Sequence, residues 1–337
     1  MFDTTRAALD DAGVKREEID HVTLAASDEL DGRAISSMLL AMPSGAYLRD
    51  ETKCTDSGLT GLCLGAMRIG SGVFELGLVV SWNKTSEAPV ENVMRMRAEP
   101  FYTRPIGLNM AITDGLFAGA VMERHGISAE DADSQVLRSY ANALRNPRGM
   151  ARAVPTPVAV RRSPFVATPL REVHRAPITD GVVALVVASA RWVTGSGGRR
   201  PKARITGLGW RSDRYDLGGE RLGAMSAFTG AVDDALRSAG GLAADELDVV
   251  ELDAQTSFHH LAMAKALGAG RPVLSPGGGA FAQNPYFCNG LLNAVEAVHQ
   301  VNGTAGGTQV PGARRALAHG AHGYAQQGHV AVVLEGV

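Results

Sequence analysis

Ala8-Leu9-Asp10-Asp11-Ala12-Gly13, followed by Ile19-Asp20-His21-Val22-Thr23-Leu24, decides the fold, because the chain uses this pattern twice. Its landmarks return as Ala235-Leu236, Ala239-Gly240, Leu247-Asp248, Val250 and Leu252. The first four positions lie 227 residues on (235 − 8) and the others 228 (247 − 19), so the intervening turn gains one residue. Each copy reads as an amphipathic helix, a glycine C-cap, an acidic turn and an apolar strand. Both halves also close on a near-continuous apolar run, at 182–187 and at 330–334. Alternating helices and fully apolar strands predict largely parallel sheets covered on both faces, in two duplicated α/β halves packed together.

Outward from the first copy comes Lys53-Cys54-Thr55-Asp56-Ser57-Gly58 and an apolar run ending at Gly70-Ser71-Gly72. Leu59, Leu62, Ala66, Met67 and Ile69 recur at helical spacing, and Thr55, Asp56 and Ser57 are all good first-turn or cap residues. A helix beginning there is expected, with a short strand before it at 46–48 and a longer one after it at 74–81. Free amides and the positive dipole end of such a helix suit a carbonyl, an oxyanion or a phosphate. An ordinary capped core helix has the same signature.

At 337 residues and a formal net charge of −2, the chain has no basic tract for nucleic acid. No run of about 18 apolar residues predicts a membrane span, and the N-terminus is acidic and amphipathic rather than signal-like. Three scattered cysteines, Cys54, Cys63 and Cys288, give neither a disulfide framework nor a zinc pattern, so the expected setting is a reducing cytoplasm. The first half is assigned to 1–193 and the second to 194–337, with Thr194-Gly195-Ser196-Gly197-Gly198-Arg199-Arg200-Pro201 as the link. A long insertion, about 85–177, interrupts the first half; segments 116–122 and 129–144 read as helices. An excursion of that length covers a site or builds an interface. Arg161, Arg162 and Arg171 on its return leg suit either a phosphate-bearing tail or solvent. The second copy is preceded by a strand at 203–210 that the first copy lacks. That strand is expected to be central in its sheet; either the chain as given is short at its start or the strand has been lost.

Taken together, the motifs resemble the thiolase superfamily, in particular its lipid-transfer or sterol-carrier-protein branch, over essentially the whole chain. The resemblance rests on the helix from Thr55-Asp56-Ser57-Gly58 to Ser71-Gly72, on Ser163-Pro164-Phe165-Val166-Ala167-Thr168-Pro169-Leu170-Arg171, and on Pro177-Ile178-Thr179-Asp180-Gly181. It continues through Asp248-Val249-Val250-Glu251-Leu252-Asp253, Gly277-Gly278 to Asn284-Pro285, and Ala316-Leu317-Ala318-His319-Gly320. It implies a layered αβαβα thiolase fold. It also implies a cysteine nucleophile at the helix mouth, a thiolate stabilised there to accept an acyl group from coenzyme A. A gapless match puts Thr55, not Cys54, at that position, 17 residues before Gly72 (72 − 55). Cys54 serves only if the turn shifts by one residue, which rotates its direction by about 100°.

Two further family positions are altered. Asp253 stands where the family has the Asn or His that orients water or an oxyanion, followed by Ala254-Gln255-Thr256. Asn284 stands for the activating histidine; it can donate a hydrogen bond but cannot act as a base. His319, His322 and Tyr324, in the glycine-rich His319-Gly320-Ala321-His322-Gly323-Tyr324, are the candidate replacements for acid/base work. Ser57, Gly58, Gln255, Gly277, Gly278 and Gln283 are the candidate substrate-binding positions. His259 and His260 share a predicted helix on which only one can point inward; His125, His174 and His299 match no motif, and Cys288 is expected inside a helix, buried and inert.

The resemblance then implies an enzyme acting on acyl-CoA thioesters that makes or breaks a carbon–carbon bond without a cysteine acyl-enzyme, in the manner of an aldolase. An acyltransferase using Cys54 or Thr55, and a non-catalytic thiolase-fold subunit, are the alternatives. No cofactor and no metal are expected beyond the coenzyme A thioester as substrate. A homodimer through the first-half sheet edge, and a zinc-ribbon and OB-fold acyl-CoA-binding partner, are implied likewise.

Overall fold

The structure, a computed structural model, describes residues 1–31, 35–55, 57–196 and 199–337. In chain order its elements are α1 (Phe2–Ala12), β1 (His21–Ala25), α2 (Ser36–Leu40), β2 (Asp50–Cys54), α3 (Gly58–Gly70) and β3 (Leu76–Asn83). The insertion follows with α4 (Val90–Arg97), α5 (Met110–His125), α6 (Ala129–Ala143), α7 (Pro157–Arg162) and the hairpin β4 (Phe165–Ala167) and β5 (Leu170–Arg171). The chain returns through β6 (Gly181–Ala188), α8 (Ala190–Gly195), β7 (Ala203–Ser212), α9 (Gly219–Ala224), α10 (Ser226–Ser238) and β8 (Val249–Glu251). It ends with α11 (Ser257–Leu267), β9 (Val273–Leu274), α12 (Asn289–Val301), β10 (Arg315–His322) and β11 (Gly328–Gly336).

Strands β2-β1-β3-β6 form one sheet and β7-β11-β10-β8-β9 the other, mixed sheets in which only the β6 and β11 hairpin-side pairings and β7–β11 are antiparallel. Helices α3 and α12 pack on one another between the sheets, α1 covers the outer face of the first, and α10 covers that of the second. The result is an αβαβα stack. The duplication extends to single hydrogen bonds. Asp20 Oδ2 accepts from the amides of Glu75 and Leu76 at 2.8 and 2.9 Å, and Asp248 Oδ2 accepts from Arg314 and Arg315 at 2.8 and 3.0 Å. In both halves this aspartate fastens the start of the strand to the start of its neighbour.

Several expectations need correction. Strand β7 is an edge strand beside β11, not a central one, and among the described residues nothing pairs with β6 on the equivalent side. Residues 46–48 form a turn in which Leu48 has φ 57°, and the strand is β2, further on. Met67 is 48% exposed; the inward face of α3 is Leu59, Leu62 and Cys63, with Gly61 and Gly65 letting the helix lie against Ala25 and Val79. Both His259 and His260 are shielded, because α11 is flanked by three helices, α5, α6 and α10. Cys288 is buried in the turn that caps α12 rather than within the helix, and its burial raises the thiol pKa. Of the link between halves, residues 197 and 198 lie outside the described residues. Among the described residues no helix is long and apolar enough to cross a membrane.

Candidate active site

The chain delivers its chemistry to the carboxyl ends of the inner strands. Strand β2 ends at Cys54, and α3 starts after Ser57, whose extended backbone and hydroxyl cap the helix by accepting from Thr60 N at 3.3 Å. Cys54 is half-buried, with Sγ 3.9 Å from the Ser57 carbonyl. Thr55 is exposed, and Asp56 lies outside the described residues. The helix therefore begins three residues after Thr55, at Gly58, and Thr55 belongs to the loop that enters it. A Cβ on Gly58 would come within 2.8 Å of Ser81 Oγ, 2.9 Å of Cys288 Cα and 3.0 Å of Leu291 Cβ, so the residue serves close packing of α3 on β3 and α12.

Asp253 follows β8 and is buried, and it is fully engaged. Its Oδ1 accepts from Gln255 Nε2 and Asn289 Nδ2, both at 2.7 Å, and its Oδ2 accepts from Ala321 N at 3.0 Å. Burial raises its pKa, while these three N–H donors pull the other way. The donors also fix the amide orientations beyond it. With its Nε2 turned to the carboxylate, Gln255 presents Oε1 to Asn284 Nδ2 at 2.8 Å. The Asn284 donor expected to meet a thioester oxygen is thus spent inside the protein, and its unpartnered atom is the acceptor Oδ1. Asp253, Gln255 and Asn284 form one structural relay, and none of the three is placed as a base.

The histidines divide in the same way. His319 is fully buried on β10, its Nδ1 accepting from Asp253 N at 3.2 Å and its Nε2 2.9 Å from His329 Nδ1. Acceptance at Nδ1 puts the proton on Nε2, so His319 donates to His329. Burial lowers the His319 pKa to about 3. The pair packs edge-on to Phe228, on the side of the sheet facing α10. Its role is to hold the β10–β11 turn, whose Gln326 donates to Asp253 O at 3.0 Å. His322 is half-buried at the end of β10, its ring laid across Gly328 on the opposite strand. His174, His125 and His299 are each hydrogen-bonded locally, to Asp133, to the Gly223 carbonyl and to Thr304.

Gly277 and Gly278 are also structural. Gly278, at φ 89°, and its neighbour press against α6 and Asn146, leaving no room for a ligand at their Cα atoms. Gln283 is half-buried in the loop leading to Asn284. Arg171 lies over the Phe165 ring at 3.9 Å and donates to Ser163 O, contacts within its own hairpin region; Arg161 and Arg162 are exposed.

What the fold does bring together is Cys54 and Tyr324, in an apolar cluster with Ala25, Met94 of α4, Met110 of α5, and Tyr286 and Phe287. The Tyr324 hydroxyl is buried and finds no hydrogen-bond partner among the described residues, and burial raises its pKa to about 12. Burial raises the Tyr286 phenol as well. Sequence reasoning missed Tyr286, two residues beyond Asn284, and Asp114 on α5. It also missed Asn289, the donor that completes the Asp253 site. A charged residue inside an apolar helical stripe is the available signal for Asp114, but the apolar run that marks the helix in the sequence starts only at residue 116, four residues beyond Ile112 and past Asp114, whereas α5 begins at Met110.

Two surface depressions, of about 380 and 260 Å³, lie against α10 on the outer face of the second half, and neither is lined by Cys54, Tyr286 or Tyr324.

The thiolase N-terminal domain model matches residues 3–191, and the thiolase C-terminal domain-like model matches residues 261–335. The chain belongs to the thiolase family. Among relatives, an acetyl-CoA acetyltransferase of Methanothermobacter thermautotrophicus is 25% identical over 93% of this chain and 88% of its own length. Sterol carrier protein 2 of Bos taurus is 24% identical over 78% of this chain, and that of Homo sapiens 24% over 93%. The chain spans only 54% and 63% of those two proteins. Among solved structures, the thiolase fold is shared with the Ltp2-ChsH2(DUF35) aldolase, at a TM-score of 0.81 and 19% identity over 98% of this chain and 90% of that one. Human mitochondrial 3-ketoacyl-CoA thiolase superposes at 0.80 and 17% identity, over 99% and 91%.

Proposed function

We propose that this thiolase-family chain acts on acyl-CoA thioesters and makes or breaks a carbon–carbon bond without an acyl-enzyme. The observation that carries the reading is the Tyr324 hydroxyl, buried and unpartnered in the cluster that also holds Cys54 and Tyr286. A phenol whose pKa lies near 12 stays protonated at neutral pH, so it offers a hydrogen bond to an oxyanion rather than acting as a base. In the cleavage direction, the β-hydroxyl of a 3-hydroxyacyl thioester loses its proton and the Cα–Cβ bond breaks. The bonding pair enters the thioester carbonyl as an enolate, an aldehyde or ketone departs, and the enolate is reprotonated at Cα. Tyr324 and Tyr286 are the donors for the enolate oxygen.

A thioester exchange through Cys54 is the second reading, favoured by the thiol's place in the same cluster and by the acetyltransferase among the relatives. Against it, the family's nucleophile position holds an exposed threonine, and the donor at Asn284 is spent on Gln255. The likeness to the Ltp2-ChsH2(DUF35) aldolase supports an accompanying partner protein, and an acyl-CoA-binding role for that partner and a homodimer are further parts of this proposal. The test is intact-protein mass spectrometry after incubation with acyl- and 3-hydroxyacyl-CoAs, alongside detection of released carbonyl compounds. Carbonyl release with no mass adduct is expected. An acyl adduct mapped to Cys54 or Thr55 would replace this reading with acyl transfer.

A further inference from the structure

The proposed cleavage needs a base, and the relay and the histidine pair account for two of the groups that the sequence suggested. Helix α5 supplies another. Its inward face runs Met110, Thr113, Phe117 and Val121, all buried, at steps of three and four residues. Asp114 follows Met110 by one turn and stands on this face between Met110 and Phe117. Met110 packs in the cluster of Cys54, Tyr286 and Tyr324, and Phe117 stacks on His259 at 4.2 Å between ring centroids. Asp114 is half-buried and so still reachable. Among the described residues its carboxyl has no hydrogen bond and no ion pair. The nearby cation, Arg175, is turned to Glu91 of α4 at 3.3 Å. A carboxyl held without partners inside an apolar helical stripe gives the fold nothing, and it costs desolvation.

We infer that Asp114 is the proton-transfer residue of the site: its carboxylate takes the proton from the substrate's β-hydroxyl and returns a proton to Cα of the enolate after the Cα–Cβ bond has broken. This rests on the proposed carbon–carbon cleavage and adds the missing base to it. Proton and electron accounts close within the active site: the hydroxyl proton moves to the carboxylate, the bonding pair forms the enolate, and the same carboxyl reprotonates carbon. The surroundings suit the task, since burial lifts the Asp114 pKa to about 7, close to the working pH of a general base. The Asp114 charge also adds to the rise in the Tyr286 phenol pKa, behind burial.

The test uses the full chain with 3-hydroxybutanoyl-CoA and its 3-methyl-branched analogue, following release of acetaldehyde or acetone. Asp114→Asn keeps the shape and removes the base. The rate of cleavage should fall by about 100-fold or more. The rising limb of the rate near neutral pH should disappear, with KM for the thioester changed by less than about threefold. Asp114→Glu, which retains a carboxyl, should recover part of the rate. An Asp114→Asn enzyme with unchanged rate and pH profile overturns the assignment and leaves the cleavage reading intact, provided Tyr324→Phe still impairs release. Absence of carbonyl release by the unsubstituted chain from both probes overturns the assignment and the cleavage reading together.

Discussion

Asp114 and Asp253 are both carboxyls in low-dielectric surroundings, and their partners separate them. Three N–H groups meet Asp253, which makes it the anchor of a polar relay, whereas Asp114 has none among the described residues. The difference has a measurable consequence for stability. The Asp114 pKa rises from 3.8 in the unfolded chain to about 7 in the folded one. Between those values the folded state keeps a proton that the unfolded chain has released, so stability falls as pH rises through this window and the loss is complete above it. Allowing for its partial exposure, the penalty at pH 8 is about 1–3 kcal/mol. Asp114→Asn should therefore raise the Tm by a few degrees at pH 8 and leave it unchanged near pH 3.5, by calorimetry at both pH values. An equal change at the two pH values would show that the charge is not the cause. The altered identities of Thr55, Asp253 and Asn284 were legible in the sequence because each falls inside a recognisable motif. Their hydrogen-bonded states were not, because the partners Asn289 and Ala321 come from other elements.

Helix α3 shows what a sequence can and cannot state about an element. Its start near Ser57 and its apolar character were readable from cap chemistry and periodicity. Which apolar residues face inward was readable only in part: the outer end of the helix runs past the sheet, and Met67 emerges into solvent. The polar strand β2, Asp50-Glu51-Thr52-Lys53-Cys54, was missed because it is the edge strand of its sheet and lacks the apolar run of a central one. Gly58 gives the element its sharpest test. Alanine is the better helix former by about 1 kcal/mol, so propensity alone predicts that Gly58→Ala stabilises. The Cβ, however, would meet Cys288 Cα at 2.9 Å and Leu291 Cβ at 3.0 Å, in a contact between two halves that cannot open cheaply. Overpacking of this kind costs about 1–3 kcal/mol. Gly58→Ala should lower the chemical-denaturation midpoint, and a raised midpoint would show that α3 and α12 are less tightly seated than described.

At the scale of the whole molecule, the duplication was legible because it repeats a periodic pattern, whereas the attachment of the insertion was not, because its ties are long-range, one of them spanning 148 residues of sequence. Just beyond α6, Arg148 reaches α12 and forms a two-point pair with Glu296, at 2.7 Å through Nε and 2.6 Å through Nη2. Asn146 adds a bond to the Gly277 carbonyl at 3.2 Å. Glu251, fully buried on β8, senses both members of the pair, and burial raises its pKa well above the ordinary range, with Glu296 adding to the rise and Arg148 opposing it. The insertion that carries Asp114 is thus fastened to the second half, while the cysteine-bearing helix mouth belongs to the first, so the candidate site depends on all three. Removing the cation alone leaves Glu296 nearly buried with its charge uncompensated beside Glu251. Such a break costs about 3–5 kcal/mol, whereas removing both charges of a buried pair is often close to neutral. Arg148→Met should therefore destabilise strongly, and Arg148→Met combined with Glu296→Leu should recover most of the loss in urea titrations. Recovery would show that the joint needs charge balance rather than the ion pair itself. A double variant as unstable as the single one would instead mean that the bidentate geometry holds the insertion in place.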